Sequence, residues 1–478
     1  MIDKRQFYID GQWTDPLSAD DHPVINPATE EPVATISLGR AADIDRAVAA
    51  AAAAFPSWAA TAPATRRALV ARLLDIYRAG YDEMVQTITL ELGAPATMCR
   101  EQQADVGIGH LKGFLRAFDR LEWRQTLDNG DILIREPIGV CGLITPWNWP
   151  VNQIVLKVLP ALLAGCTCVL KPSELTPLSA MLYAGMIDQA GFPPGVFNLV
   201  NGTGEETGAA LSRHPDVAMM SFTGSTRAGV AVTRDSAPTV KRVALELGGK
   251  SPNLIFADAD IDARVPASLA EVFNNTGQSC DAPTRLLVER SVYDRVATLA
   301  AQAAQAQAVG DPTQEGDHIG PLVSALQFDR VQTLIQAGIA EGAALLAGGP
   351  GRPDGFNRGY YVRPTVFGDV NNQMTIAQEE IFGPVAVLIP FDTEEDAIAI
   401  ANDTPYGLAA YVQTGDMARA ERVAARLRAG MVHVNGAGHQ YGSPFGGYKQ
   451  SGNGREGGLP GLEEFLELKT LHLPAQAT

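Results

Sequence analysis

The sequence predicts an α/β chain made of two parallel-sheet units. From about residue 138, short β-branched runs alternate with longer helical ones: GVCGLITP, QIVLKVLPALLAG, CTCVLKP, LSAMLYAGMIDQAG, VFNLVNG and AMMSFTG. After residue 252 the alternation resumes with SPNLIFAD, ARVPASLAEVFNN, PTRLLVER and VYDRVATLAAQAAQAQAVG. Strands separated by crossover helices form parallel sheets. The length of 478 residues agrees, being too great for one core at about 150 residues per domain. The joint between the units falls near Gly248-Gly249.

Ahead of these units, AADIDRAVAAAAAAFPSWAA (41–60) predicts a helix broken by Pro56. A second helix is predicted over 64–92, where apolar residues recur every three or four positions. LDNGDILIREP (127–137) reads as a hairpin, its D-N-G turn leading into an apolar strand. LELKTLHLP (466–474) is a further β-like run. Hairpins are marginal alone, so both segments are expected to pair with something. Cys166 and Cys168 form a CxC inside the apolar run ALLAGCTCVLKP, which favours buried, inert thiols over a metal site.

Bulk properties narrow the function. A net charge of −17 argues against nucleic-acid or anionic-membrane surfaces, which need clustered Lys and Arg. The start MIDKRQFYIDGQW lacks the apolar core of a signal peptide, and no run reaches the roughly 18 apolar residues of a span. Five cysteines without dense spacing fit a reducing cytoplasm.

Several stretches could carry chemistry. RVALELGGKS (242–251) imitates a phosphate loop, but residue 244, where GxxxxGK[ST] needs glycine, is alanine. Glu246 remains as a carboxylate in an apolar strand, either solvent-facing or functional. In SFTGSTRAG (221–229) a strand leads through Gly224 and Ser225 into a helix; its amides can hold pyrophosphate, or Ser225 can simply cap a tight turn. VLKPSE (169–174) places Lys171 and Glu174 at a strand end, where ligands bind in open α/β sheets, although either could be a solvated loop charge. TPWNWP (145–150) brackets Asn148 with prolines; a rigid amide suits an oxyanion, and a self-satisfied turn asparagine is the plainer alternative. Finally, FNNTGQSCDAP (273–283) sets Cys280 among small polar residues, unlike a buried structural thiol.

Together PWNWP, KPSE, FTGST, LELGGKSP, GQSC, EEIFGP (379–384) and PFGGYKQSGNGRE (444–456) resemble, in order and spacing, the aldehyde dehydrogenase superfamily over essentially the full length. The resemblance implies a Rossmann-like NAD-binding domain (1–118 and 138–248), an α/β catalytic domain (249–440), and a small β oligomerisation element formed by hairpin 119–137 and tail 464–478. Residues 441–463 would return to the NAD-binding domain. It implies a Cys280 nucleophile, Glu246 as the base that activates water, and Asn148 with the Cys280 amide as oxyanion donors. Asn274, Thr276, Gly277 and Gln278 match the family's loop, leaving room for substrate, cofactor and water to reach the sulfur in turn.

By the same resemblance Ile144, Thr145, Pro146, Trp147, Lys171, Ser173, Glu174, Gly204, Phe222, Gly224, Ser225, Leu247, Gly248, Glu380 and Phe382 bind the dinucleotide. Glu174 favours NAD, since the 2′-phosphate of NADP would meet like charge. The substrate pocket would use Asn152, Gln153, Leu156, Ser279, Asp281, His439 and Tyr441, with Asp281 either turned away from the sulfur or raising the thiol pKa. A cytoplasmic homodimer or homotetramer acting on a medium-sized aliphatic, terpenoid or aromatic aldehyde, without a metal, is expected. The rivals are a CoA-acylating relative, which generally lacks a glutamate at 246, and a non-phosphorylating glyceraldehyde-type enzyme, which would want Arg or Lys in the pocket. A catalytically silent binding homologue and a thiol hydrolase are further alternatives.

Overall fold

The structure, a computed structural model, describes residues 2–474, so the last four residues of the tail expected over 464–478 lie outside the described residues. The first sheet has seven strands in the order 242–246, 219–223, 140–144, 167–171, 197–199, 7–9 and 12–14. The first five run parallel and the N-terminal hairpin adds antiparallel strands at one edge. The second sheet orders 344–347, 365–368, 385–391, 285–289, 252–255, 409–413 and 431–434, all parallel except the first. The chain passes from one sheet to the other between Glu246 and Pro252, at the Gly-Gly joint. A small sheet of 2–4, 31–37 and 21–26 packs separately.

Two N-terminal expectations need correction. The first helix runs Ala41–Ala59 straight through Pro56. Pro56 lies in the last turn, where it forfeits one hydrogen bond to the Ala52 carbonyl, and the residues beyond it are held by Trp58, buried against Phe192 with ring centroids 5.8 Å apart. The span 64–92 is two helices, Pro63–Ala79 and Tyr81–Leu92. Gly80 separates them because the chain passes so close to Met186 that a Cβ there would lie 2.6 Å from its Cε.

The D-N-G turn closes a hairpin of Arg124–Thr126 and Ile132–Pro137, with Gly130 at φ +88°. Tail strand Leu466–Leu471 pairs antiparallel with Ile132–Pro137 of the same chain. Each segment thus finds a partner within the chain. Cys166 and Cys168 are buried and free, the Cys166 thiol donating to the Phe465 carbonyl at 3.3 Å.

At the centre lies helix Pro150–Ala164, buried along most of its length and apolar on nearly every side. Its one charge, Lys157, is buried against Glu456 and donates to Ser221 Oγ at 3.1 Å. Among the described residues, no helix is long and apolar enough to cross a membrane.

Candidate active site

In the first sheet the strand order reverses between 140–144 and 219–223: the next two strands in sequence stack on one side and the following two on the other. Crevices at the carboxyl ends of strands at such a switch point bind ligands. Here Pro146, Trp147 and Asn148 follow one strand, and Gly224, Ser225 and Thr226 follow the other. The second sheet presents the opposite edge, since Cys280 precedes strand 285–289 and Glu380 precedes 385–391. All of these residues line one cavity of about 420 Å³, joined by Gln153, Leu247, Gly248 and Phe382.

The loop before Cys280 is locked in a strained conformation. Asn275, Thr276 and Gly277 are successive left-handed residues, at φ 50°, 57° and 72°. Two non-glycine residues there persist only where surroundings over-determine them. Asn275 Nδ2 donates to the carbonyls of Asn148 at 2.8 Å and Gln278 at 3.2 Å. Thr276 donates to Gly320 O at 3.1 Å, and Gln278 Oε1 accepts the Val323 N–H at 3.0 Å. At Gly277 a Cβ would meet the Gly383 carbonyl at 2.1 Å. These side chains therefore fix the loop rather than leave room in it, correcting the reading of Thr276, Gly277 and Gln278 as space for traffic. Asn274 holds Gln102 at 2.8 Å.

Asn148 is buried and its side chain crosses to the loop before Cys280, donating to Gln278 O at 2.9 Å. Its own carbonyl accepts from Gln103 and Asn275. The turn-asparagine alternative does not describe it. One amide N–H remains for a ligand at the cavity wall.

Burial drives the Cys280 thiol well above the ordinary range, and the carboxylates of Asp281, Glu380 and Glu246 push it the same way. The Asp281 backbone carbonyl accepts from the Tyr411 hydroxyl at 3.1 Å. Glu246 is buried with both carboxyl oxygens unpartnered. Burial, then the neighbouring Glu456 carboxylate, raises its pKa well above the carboxylate range. Its carboxyl does not line the Cys280 cavity. It lies on a void of about 10 Å³, room for about one water, with Leu156, Arg455 and Glu456. Gly446, at φ +152°, makes way for it: a Cβ there would sit 2.6 Å from Glu246 Oε1.

Glu380 Oε1 accepts the Gly249 N–H at 3.0 Å, and burial lifts this carboxyl to about 7. A Cβ on Gly248 would lie 2.3 Å from Glu380 Oε2, so only glycine permits this approach. Trp147 and Phe382 meet edge to face at 5.3 Å. Ser225 Oγ caps helix Thr226–Ser236 through the Ala228 N–H while the cavity reaches the same helix start, so cap and ligand-facing turn coexist. Lys171 is buried, donating to Gly202 O at 2.6 Å and reaching Glu174 at 3.4 Å. Ser173 Oγ accepts from Leu175, and Thr145 donates to Lys171 O. Ile144 and Phe222 are core residues beneath this floor, and the space in front of Gly204 is open. A buried, unpartnered Thr223 hydroxyl on the cavity wall also calls for a polar ligand.

Of the expected pocket residues, Gln153 alone lines the cavity with Cys280. Ser279 Oγ accepts from Trp149 Nε1 at 2.9 Å, Asn152 meets His110, Tyr441 lies on His110, and the His439 ring stands edge-on to Phe445. Sequence reading missed Thr223, Thr226, Arg227, Gln327, Arg330 and Tyr406 on the cavity wall. Thr226 and Arg227 adjoin a motif already singled out; Gln327 and Arg330 sit at helical spacing with no local signal.

Residues 13–471 match the Aldehyde dehydrogenase family. The chain is 52% identical to a 3-succinoylsemialdehyde-pyridine dehydrogenase of Pseudomonas sp, covering 98% of this chain and 99% of that protein. Among solved structures it resembles a mutant aldehyde dehydrogenase C from Pseudomonas syringae complexed with NAD+ and octanal, with TM-score 0.96, 52% identity, and 98% and 96% of the two chains covered. A Mycobacterium tuberculosis aldehyde dehydrogenase complexed with NAD+ superposes with TM-score 0.97 at 43% identity, covering 100% and 99%.

Proposed function

Because the chain belongs to the aldehyde dehydrogenase family, we propose that it oxidises an aldehyde to the carboxylic acid through a thioester on Cys280, with NAD as the electron acceptor. The observation that carries this reading is the shared cavity. It places Cys280, Asn148 and Glu380 around one volume at the strand-order switch.

Cys280 Sγ adds to the aldehyde carbon, and the oxygen that gains charge is held by the free Asn148 N–H and the Cys280 backbone N–H. A dinucleotide held in the cavity would supply the hydride acceptor for the collapse of that intermediate. Gly248, Glu380 and Phe382 fit its nicotinamide end, Ser225 and the helix start its pyrophosphate, and Lys171 with Glu174 its adenosine ribose. Glu246, swung from its void toward the thioester, takes a proton from the attacking water. Asn148→Ala is expected to lower kcat by about 10²–10³-fold with little change in KM. Steady-state kinetics on the folded variant would check this, and a loss confined to KM would count against the oxyanion role.

Glu174 supports NAD over NADP: the half-exposed carboxylate suits a 2′-hydroxyl and repels a 2′-phosphate. NAD is expected to give at least about tenfold higher kcat/KM, like-charge juxtaposition costing several kcal/mol. A higher value with NADP would overturn this.

The octanal complex of one similar structure and the pyridine in one relative's name both support a medium-sized aliphatic or aromatic aldehyde. The outer edge of strand Leu466–Leu471, with Leu468 and Leu471 exposed, would pair with a second copy of the chain. NADH absorbance across short and long aliphatic, terpenoid, aromatic and charged aldehydes, without CoA, tests the activity. Production of NADH only when CoA is present would transfer the chain to the acylating class.

A further inference from the structure

We propose that Tyr411 is a positioning residue for Cys280, its hydroxyl pinning the turn on which the sulfur rides. This rests on Cys280 being the reacting group and adds a residue that touches neither aldehyde nor cofactor. Side chains of strand Ala409–Gln413 alternate between the two faces of the second sheet. Ala410 and Val412 join one core, whereas Ala409 and Tyr411 belong to a separate cluster against which Cys280 and Phe445 pack. Tyr411 is 2% exposed, so its hydroxyl needs a partner inside the protein. It finds the Asp281 backbone carbonyl at 3.1 Å, a contact in which only the hydroxyl can donate.

Cys280 and Asp281 are the central residues of a turn closed by the Ala282 N–H on Ser279 O at 3.3 Å. That bond uses the Ser279 carbonyl. Among the described residues, no other protein group donates to the Asp281 carbonyl. The half of the turn before the sulfur is fixed by Trp149 Nε1 on Ser279 Oγ at 2.9 Å. The Cys280 carbonyl lies so near Gly249 that a Cβ there would stand 2.4 Å from it. Tyr411 therefore supplies the side-chain tether for the half after the sulfur. Its ring is held too. His433, its register partner on the next strand, stacks on it with centroids 4.8 Å apart at 19°, and His433 Nδ1 donates to the Ala437 carbonyl at 2.8 Å. Such anchoring matters because a shift of about 1 Å in a reacting group can cost about 10²-fold in rate. Glu271, on helix Ile261–Phe273, faces the same hydroxyl and is the competing acceptor.

Tyr411→Phe removes only the hydroxyl and keeps the stacked ring. Its first-turnover burst of NADH should slow by about 10–100-fold, while the affinity for NADH, read by fluorescence titration, stays at the parental value. Alkylation of Cys280 by iodoacetamide at fixed pH, followed by mass spectrometry, should slow as well, because the sulfur loses its aim at the cavity; the other four cysteines are buried. His433→Phe, which preserves a stacked ring, should keep the burst, and His433→Ala should lose part of it. Glu271→Gln should leave the burst unchanged. A parental burst in Tyr411→Phe, even with a lowered Tm, would overturn the assignment, as would equal slowing in Glu271→Gln. If no aldehyde yields NADH, the aldehyde-oxidising reading fails by itself. The alkylation rate then still decides the pin, and a rate unmoved by Tyr411→Phe removes it.

Discussion

Cys280→Ala is expected to abolish NADH formation with every aldehyde, by about 10⁴-fold or more, while the fold and dinucleotide binding persist. The sulfur is the only thiol on the cavity; the other four cysteines are buried elsewhere. Without it no covalent intermediate forms, and the Asn148 amide has no developing oxyanion to hold. The shape of the site should survive, because the loop is fixed by Asn275, Thr276 and Gln278 rather than by the cysteine side chain. Steady-state rates, with NADH fluorescence titration as the control for an intact cavity, would check both halves. A variant that turns over its best aldehyde at the parental rate would remove the nucleophile assignment. Cys280→Ser is the stricter form of the test. It keeps the geometry and a hydroxyl, but an alcohol is a far weaker nucleophile than a thiol at neutral pH, so it should be nearly as slow.

Legibility in the sequence followed how local each signal is. Strand ends carrying Asn148, Lys171 and Ser225 could be found because β-branched runs and the turn residues after them are contiguous. The alternation of elements likewise gave two sheets and the joint at Gly248-Gly249. What stayed hidden depends on packing between distant segments. Gln327 and Arg330 reach the cavity because their helix lies against the 380–382 loop, Gln327 donating to the Phe382 carbonyl at 2.8 Å. His110 meets Asn152 and Tyr441, 42 and 331 positions away, only once the chain folds. Pro56 misleads because its cost depends on how near it falls to the helix end, and Trp58, which holds that end, is buried by tertiary contacts. Glu246 was ambiguous for a related reason. The pattern VALEL permits either face, and burial follows only once the 444–456 segment folds over it.

Glu246→Gln should separate the two halves of the reaction. Acylation needs the thiol, the Asn148 amide and the dinucleotide, so the first turnover should still release NADH, as a burst approaching one equivalent per site. Steady-state turnover should then fall by about 10²–10⁴-fold, the usual range for a lost general base. Mass spectrometry of the quenched protein should find the acyl group on Cys280. The pH dependence follows from the raised pKa: burial and the Glu456 carboxylate favour the protonated form of Glu246, so the fraction able to accept a proton from water grows as pH rises. Cys280, held up by burial and three carboxylates, loses its proton in the same direction. Turnover of the wild type should therefore climb into the alkaline range. Glu246→Gln should lose the part of that climb that belongs to deacylation and keep the part carried by the thiol in single-turnover acylation. Equal loss of burst and steady state would place Glu246 before the thioester. An unchanged steady state would leave it as a buried carboxylate of the Lys157–Glu456 cluster with no part in hydrolysis.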